Sequence, residues 1–402
     1  MPTRWPHFQD LCPPLGDSLY FNIGTCVPLL EPIHEAITQA NRSLQSPSPK
    51  PWLVTESVCM EARQKLASLL GAHPSEISLT ENGTFSMNAI IAGIPWQAGD
   101  GIIITAHEHV SSLVPCFNIA KRYDLSVTLV DPDDKTDEEM IGALAKAIDQ
   151  RTRLIVASHV TWNTGRILPV ADICRLARDH GVLTLIDGAQ GAGNVDVDVK
   201  AIGCDAYALS GHKWLLGPTG TGACYITTKL VEQLWPLAAG YQSITGFSLD
   251  GQIDWKMDSQ KMECSTKNIA LIAGFTRGLE LLEQYQLPAV TSQIHHLATW
   301  FKQQLLLLPD VTLFNDLSFP ASGLVCFRIE GLAHEEIVDY CLKHHLYIRH
   351  LPRPEGIRFS IHAFHSHTEL IRALVILEAA IHHARKQGGQ HSTSVLVASH
   401  RE

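Results

Sequence analysis

Residues 185–222 read LIDGAQGAGNVDVDVKAIGCDAYALSGHKWLLGPTGTG. An acid, Asp187, closes one short apolar run, and Gln190 follows three residues on. A second run, Ala206–Leu209, ends in Ser210-Gly211-His212-Lys213. Short apolar runs bounded by turn residues fit strands covered on both faces, as in a parallel sheet. Ligands of such sheets lie outside the carboxyl ends of the strands, so Asp187 and Lys213 are expected to face one crevice. Working outward, further runs occur at Ile77–Thr80, Gly101–Thr105, Ser126–Val130, Leu154–Ala157 and Val182–Ile186. Helical spacing separates them, at Val110–Arg122, Asp137–Ile148 and Val170–His180, which predicts crossover units and an α/β fold. Thr221–Ile226 follows a Gly-Pro turn too closely for a crossover and is expected as an added edge strand of opposite direction. With it the sheet is mostly parallel and seven-stranded. Upstream, Leu29–Leu44 and Glu56–Leu70 have the apolar spacing of helices, and Gly71 fits a helix stop.

The pattern changes after residue 287. A helical segment, Val290–Leu308, precedes short strands near Leu324–Ile329, Tyr347–Arg349 and Ile357–Ser360, with helices at Glu335–His344 and Thr368–Arg385. The expected organisation is an N-terminal arm (1–25), a large domain (26–287), a smaller C-terminal α+β domain (288–386) and a disordered tail (387–402). The arm is expected to pack on the smaller domain as well.

Composition narrows the classes. The chain has 402 residues, 45% of them hydrophobic, enough for a sizeable core. Its formal charge of −10 argues against nucleic acid as a partner, since such partners call for a basic face. No run of 18 apolar residues offers a membrane span. The opening MPTRWPHFQDLCPPLGD lacks the apolar stretch of a signal peptide. Ten cysteines are scattered with no C-x-x-C pair, which fits a reducing cytoplasm better than a disulfide framework or a zinc site.

A carboxylate and a lysine at neighbouring strand ends suit an aldehyde cofactor with a basic ring nitrogen. The lysine bonds the aldehyde, and the acid keeps the nitrogen protonated. Asp187-x-x-Gln190, Ser210-Gly211-His212-Lys213 and Gly217-Pro218-x-Gly220 together resemble the signature of class V, fold-type I pyridoxal phosphate enzymes. These include cysteine desulfurases, kynureninase-like enzymes and isopenicillin N epimerase-like proteins. The resemblance covers nearly the whole chain and implies pyridoxal 5′-phosphate as cofactor. It implies Lys213 as the Schiff-base lysine and proton shuttle, Asp187 at the ring nitrogen, Gln190 at the ring hydroxyl, and Ser210 and His212 at the phosphate. Gly83 and Thr84 open a helix whose amides attract an anion, and they match the family's phosphate turn, usually Gly-Ala-Thr, from which Asn82 is a departure. His109 matches the ring-stacking histidine. Asn163 stands one position from the asparagine usual in desulfurases, where this chain has Trp162. Thr266 stands where the family reaches the phosphate of the neighbouring subunit, which implies a homodimer with shared active sites; read alone, Ser265-Thr266 would be a helix cap. Gly356-Ile357-Arg358-Phe359-Ser360 resembles the family's substrate-carboxylate segment, with Arg349 nine residues earlier and Asn22 as further substrate contacts. His362, His365 and His367 lack an acid or cysteine to complete a metal set, so no metal is expected.

Desulfurases carry a nucleophilic cysteine just before the arginine segment. Residues 349–355 here read RHLPRPE and hold none. The branch most resembled is the cyanobacterial cysteine/cystine C–S lyase, through Tyr20-Phe21-Asn22, Trp96–Asp100, Ser158–Gly165 and Gly240–Thr245. Where that lyase has Trp-Arg, this chain has Tyr241-Gln242. The expected reaction is β-elimination from cysteine, cystine or an S-substituted cysteine. Transamination or epimerisation of another amino acid is the alternative, and desulfuration ranks below both.

Overall fold

The computed structural model describes residues 5–46, 51–133 and 135–398; the side chains of Pro51 and of 387–398 lie outside the described set. The chain forms two compact units. One comprises Met1–Thr25, Asn163–Arg166 and Thr291–Glu402, the other Cys26–Trp162 and Ile167–Val290.

The larger unit is built on seven strands: β1 (Ile77–Thr80), β2 (Gly101–Thr105), β3 (Ser126–Val130), β4 (Thr152–Ser158), β5 (Leu183–Asp187), β6 (Ala206–Ser210) and β7 (Gly222–Ile226). Their order is β1-β7-β6-β5-β4-β2-β3. Neighbours from β6 through β3 are parallel, and β7 runs antiparallel to both β6 and β1. The direction expected for β7 holds, but its place does not: it lies inside the sheet, and the edges are β1 and β3. All five β7 residues are buried, whereas most of β3 is not. The short Gly-Pro turn fixes only the pairing with β6. The other side of β7 is taken by β1, whose sequence lies some 140 residues upstream. Helix Gly83–Gly93 packs Met87, Ile90 and Ile91 on Ile104, Leu154, Val156, Leu185 and Ala208 of the sheet. Truncating a buried Leu or Ile to Ala in such a layer costs about 2–5 kcal/mol.

The smaller unit holds a four-stranded antiparallel sheet in the order Val311–Leu313, Leu324–Ile329, Glu355–Ser360, Arg349–Pro352. The run expected at Tyr347–Arg349 divides. Leu346–Tyr347 pairs in parallel with Leu19–Tyr20 of the N-terminal segment, and Arg349–Pro352 joins the sheet. Phe21, fully buried, packs on Phe359, which also meets Phe301 and Phe327. Residues 163–166 belong here because the Gly165 carbonyl accepts from Ser322 Oγ (2.8 Å) and Asn315 Nδ2 (3.2 Å). Helix His367–Ala398 continues past Gln387, where the sequence suggests a tail; the side chains from there on are outside the described residues. Among the described residues, no helix is long and apolar enough to cross a membrane.

Candidate active site

In the larger unit the chemistry gathers at the carboxyl ends of β4, β5 and β6. Asp187, the last residue of β5, is 6% exposed. Ser112 Oγ donates to its Oδ2 (2.8 Å) and the Ala189 amide to its Oδ1 (2.9 Å). Both donors are neutral, so the carboxylate is oriented without its charge being cancelled. Gln190 is buried, and Trp214 Nε1 donates to its Oε1 (2.8 Å), which sets the amide's orientation and makes its NH2 end the donor.

Ser210 ends β6, and the turn after it carries His212 and Lys213. A Cβ on Gly83 would lie 2.8 Å from Ser210 Oγ, and one on Gly222 would lie 2.7 Å from Asn82 Cα. Glycine at both positions lets the start of helix Gly83–Gly93 close on the end of β6. Asn82, the departure noted in the sequence, is the N-cap: its Oδ1 accepts from the Phe85 amide (2.8 Å). Gly83 and Thr84 thus open a capped helix beside Ser210, a setting that favours an anion. The His212 Nδ1 is buried and has no hydrogen-bond partner among the described residues. Burial, then the Lys213 ammonium, lowers the His212 pKa. His109 caps helix Val110–Tyr123 through Nδ1 and meets the Trp162 ring edge-on, with centroids 5.4 Å apart.

Thr266 is exposed, and its Oγ1 is 2.7 Å from Tyr241 Oη. It is not a helix cap; Asn268 fills that role for Ile269–Gln284. Cys26 is half-buried beside Lys213. Burial raises its thiol pKa, and the ammonium partly offsets this.

In the smaller unit, Arg349 and Arg358 are register partners on adjacent strands. Arg358 is 1% exposed and is pushed down to about 10, chiefly by burial, with a contribution from the charge of Arg349. Its Nη2 donates to Thr25 Oγ1 (2.9 Å) and Asn22 Oδ1 (3.4 Å), and Arg349 Nη1 donates to the same Thr25 Oγ1 (2.8 Å). Thr25 Oγ1 in turn donates to Asn22 Oδ1 (2.8 Å). Two adjacent guanidinium groups on neutral oxygens favour an anion such as a carboxylate. Asn163, expected among the cofactor contacts, lies in this unit with its Nδ2 donating to the Arg353 carbonyl (2.7 Å). His365 accepts at Nδ1 from the His362 amide and donates from Nε2 to the Tyr20 carbonyl, so both ring nitrogens have structural partners.

Sequence reasoning missed Ser112, Trp214 and Thr25, which hold Asp187, Gln190 and the two arginines. The only local signal was for Thr25, in the stretch Asn22-Ile23-Gly24-Thr25.

The donor set of the larger unit fits pyridoxal phosphate. It offers a carboxylate for a ring nitrogen, an amide donor, a lysine, a buried histidine nitrogen without a partner, and a glycine-opened helix start beside a serine. The sequence matches the aminotransferase class-V family model over residues 30–389. It is 31% identical over 277 residues to a probable cysteine desulfurase of Methanothermobacter thermautotrophicus, covering 68% of each chain. It is 36% identical over 207 residues to an isopenicillin N epimerase of Amycolatopsis lactamdurans, covering 50% of this chain and 52% of that one. Among solved structures, the cystine C–S lyase C-DES in complex with its reaction product cysteine persulfide superposes with a TM-score of 0.85 at 29% identity. That match covers 91% of this chain and 98% of the other. A lysine-to-alanine mutant of C-DES, with glycine covalently linked to its PLP cofactor, gives 0.86 at 29% identity, covering 92% and 98%.

Proposed function

The chain belongs to the aminotransferase class-V family of pyridoxal phosphate-dependent enzymes, and from that premise we propose that it is a C–S lyase acting on cysteine, cystine or an S-substituted cysteine. When bound, the cofactor supplies an electron sink for a carbanion at the substrate Cα. Lys213 holds the cofactor aldehyde at rest. With the cofactor bound, its Nζ would be the group placed to take the substrate Cα proton. Asp187 keeps the ring nitrogen protonated. Gln190 donates toward the ring hydroxyl, and Ser210, His212 and the Gly83 and Thr84 amides hold the phosphate. Arg358, with Arg349, binds the substrate carboxylate through a guanidinium fork. The Cβ–S bond breaks, the sulfur leaves as a small molecule, and aminoacrylate hydrolyses to a keto acid and ammonia.

The carrying observation is the placement of thiols. The segment 349–355 has no cysteine, and Cys326 and Cys341 are buried with their thiols pushed up to about 12, chiefly by desolvation. A thiol must ionise to accept sulfur, so neither suits a persulfide carrier. The test is a product assay with cysteine, cystine and S-substituted cysteines, scoring keto acid, ammonia and protein-bound persulfide, with Lys213→Ala as the blank. Keto acid formed one-for-one in a Cys326→Ser/Cys341→Ser double variant and in Cys26→Ser supports the lyase. A stoichiometric persulfide on any of these residues returns the chain to desulfuration, and amino-group exchange with a keto acid points to an aminotransferase.

A homodimer and a cytoplasmic setting are part of the proposal. Trp235, Tyr241, Phe247, Leu249, Ile253 and Met257 are all exposed in a segment that includes Thr266's partner Tyr241. Such an apolar surface suits a second copy of the chain.

A further inference from the structure

Glu108 lies in the turn after β2 and is 3% exposed. Its Oε1 accepts from Thr105 Oγ1 (2.5 Å) and the Ser158 amide (2.6 Å), and its Oε2 accepts from Ser158 Oγ (2.7 Å). Ser158 is the register partner of Asp187 on the neighbouring strand. The residue that binds both oxygens of Glu108 therefore sits one strand spacing, about 4.8 Å, from Asp187. The hydrogen-bond donors to the two carboxyl groups are hydroxyls and backbone amides. Three further titratable groups beside the pair are held neutral, and the cation at this end of the sheet is Lys213, in the turn after the next strand. Cys116 on helix Val110–Tyr123 has its thiol pushed up to about 12 by burial and by Glu108. Tyr207 on β6 is held protonated by burial, with Asp187 among the smaller causes. His159, bound to Tyr207 Oη (2.9 Å), is lowered to about 4 by burial. The charge of Asp187 bears on Glu108, and two carboxylates that interact out of water resist ionising together.

We propose that Glu108 is a positioning residue that acts through Asp187: in the cofactor-free protein Glu108 holds a proton, and it releases that proton when a cationic ring nitrogen takes its place beside Asp187. Burial, then the charge of Asp187, pushes Glu108 up to about 7, so it is the member of the pair that carries the proton below neutrality. The ring nitrogen arrives already protonated, Asp187 meets it as a carboxylate, and the proton held by Glu108 passes to solvent. The second negative charge then lies next to the ring nitrogen's own counter-ion and makes that nitrogen harder to deprotonate. The inference rests on the reading of Asp187 as the ring-nitrogen partner.

The test uses purified holoenzyme, stripped of cofactor and reconstituted with pyridoxal phosphate in calorimetry with two buffers of different ionisation enthalpy. Near pH 6 the wild type should release up to one proton more per subunit than Glu108→Gln, and the gap should close toward pH 9. Equal release by the two proteins at both pH values overturns the proposal. Should Glu108→Gln fail to fold, infrared difference spectra of the wild type decide. Cofactor binding near pH 6 should remove the carbonyl band of one protonated carboxylic acid, and no such loss overturns the idea. Asp187→Asn separates the two readings. If it leaves the affinity for pyridoxal phosphate unchanged, the ring-nitrogen assignment fails. If it weakens affinity while wild type and Glu108→Gln release equal protons, only the role of Glu108 fails.

Discussion

Asp187 and Glu108 in the larger unit, and Arg349 and Arg358 in the smaller, are both pairs of like charge that bond to neutral groups, and all but the half-buried Arg349 are buried. Ser112, Ser158 and Thr105 serve the carboxyl groups, while Thr25 and Asn22 serve the guanidinium groups. Neutral partners fix geometry and leave the charge to attract its opposite, a cation in the first case and an anion in the second. The two pairs differ in what they can do without that ligand. A carboxyl group sheds its charge by taking a proton; a guanidinium at ordinary pH does not. The carboxyl pair therefore answers to pH, and the arginine pair answers only to the ligand.

The most damaging way to break this comparison is Asp187→Asn, which keeps the shape and removes the charge. Turnover should fall by about a thousandfold or more, because a carboxylate beside a developing charge in a dry site is worth several kcal/mol. A loss below tenfold in kcat would place the essential charge elsewhere. Next comes Arg358→Met, expected to raise KM by about a hundredfold, with cofactor affinity retained, since a charge-assisted pair is worth up to about 3 kcal/mol. Arg358→Lys should not rescue it, because the fork geometry is lost. Thr25→Val removes only the hydroxyl that accepts from both arginines. KM should rise by about five- to tenfold, on the scale of one net hydrogen bond; an unchanged KM would make Thr25 a packing residue.

Lys302 sharpens the contrast from the other side. It is a buried cation of the same unit, 1% exposed, whose Nζ has no hydrogen-bond partner among the described residues, and burial lowers it from 10.5 to about 8. Its folded pKa lies below its unfolded one. Stability therefore rises with pH between these values, and the cost of charging Lys302 is fully present below pH 8. Lys302→Met should raise stability below pH 8 by about 1 kcal/mol or more, read as Tm, and the gain should shrink toward pH 10.5. Turnover should stay the same. A destabilised variant would mean that the ammonium is compensated after all.

Much of the candidate site could be read along the chain, since each strand delivers its polar residues at its last position or in the turn that follows. Asp187 with Gln190, and Ser210 with His212 and Lys213, are contiguous words of sequence. Their supports are not. Glu108 reaches Ser158 across 50 residues, Ser112 reaches Asp187 across 75, and Arg358 reaches Thr25 across 333. No local period carries such pairings. Asn163 shows the same limit: its neighbours Trp162 and Thr164 place it in a motif, but its amide is committed to the carbonyl of Arg353, 190 residues away.

By itself the sequence determined the alternation of strand and helix, the change of pattern after residue 287, and the grouping of Asp187, Gln190, Ser210, His212 and Lys213 at strand ends, because apolar periodicity and turn chemistry act within a few residues. Tertiary structure alone decided that β7 lies within the sheet, that residues 163–166 join the smaller unit, and that Glu108 bonds to the register partner of Asp187. Each depends on which distant backbone or side chain satisfies a buried polar group, and that requirement is met in space rather than along the chain.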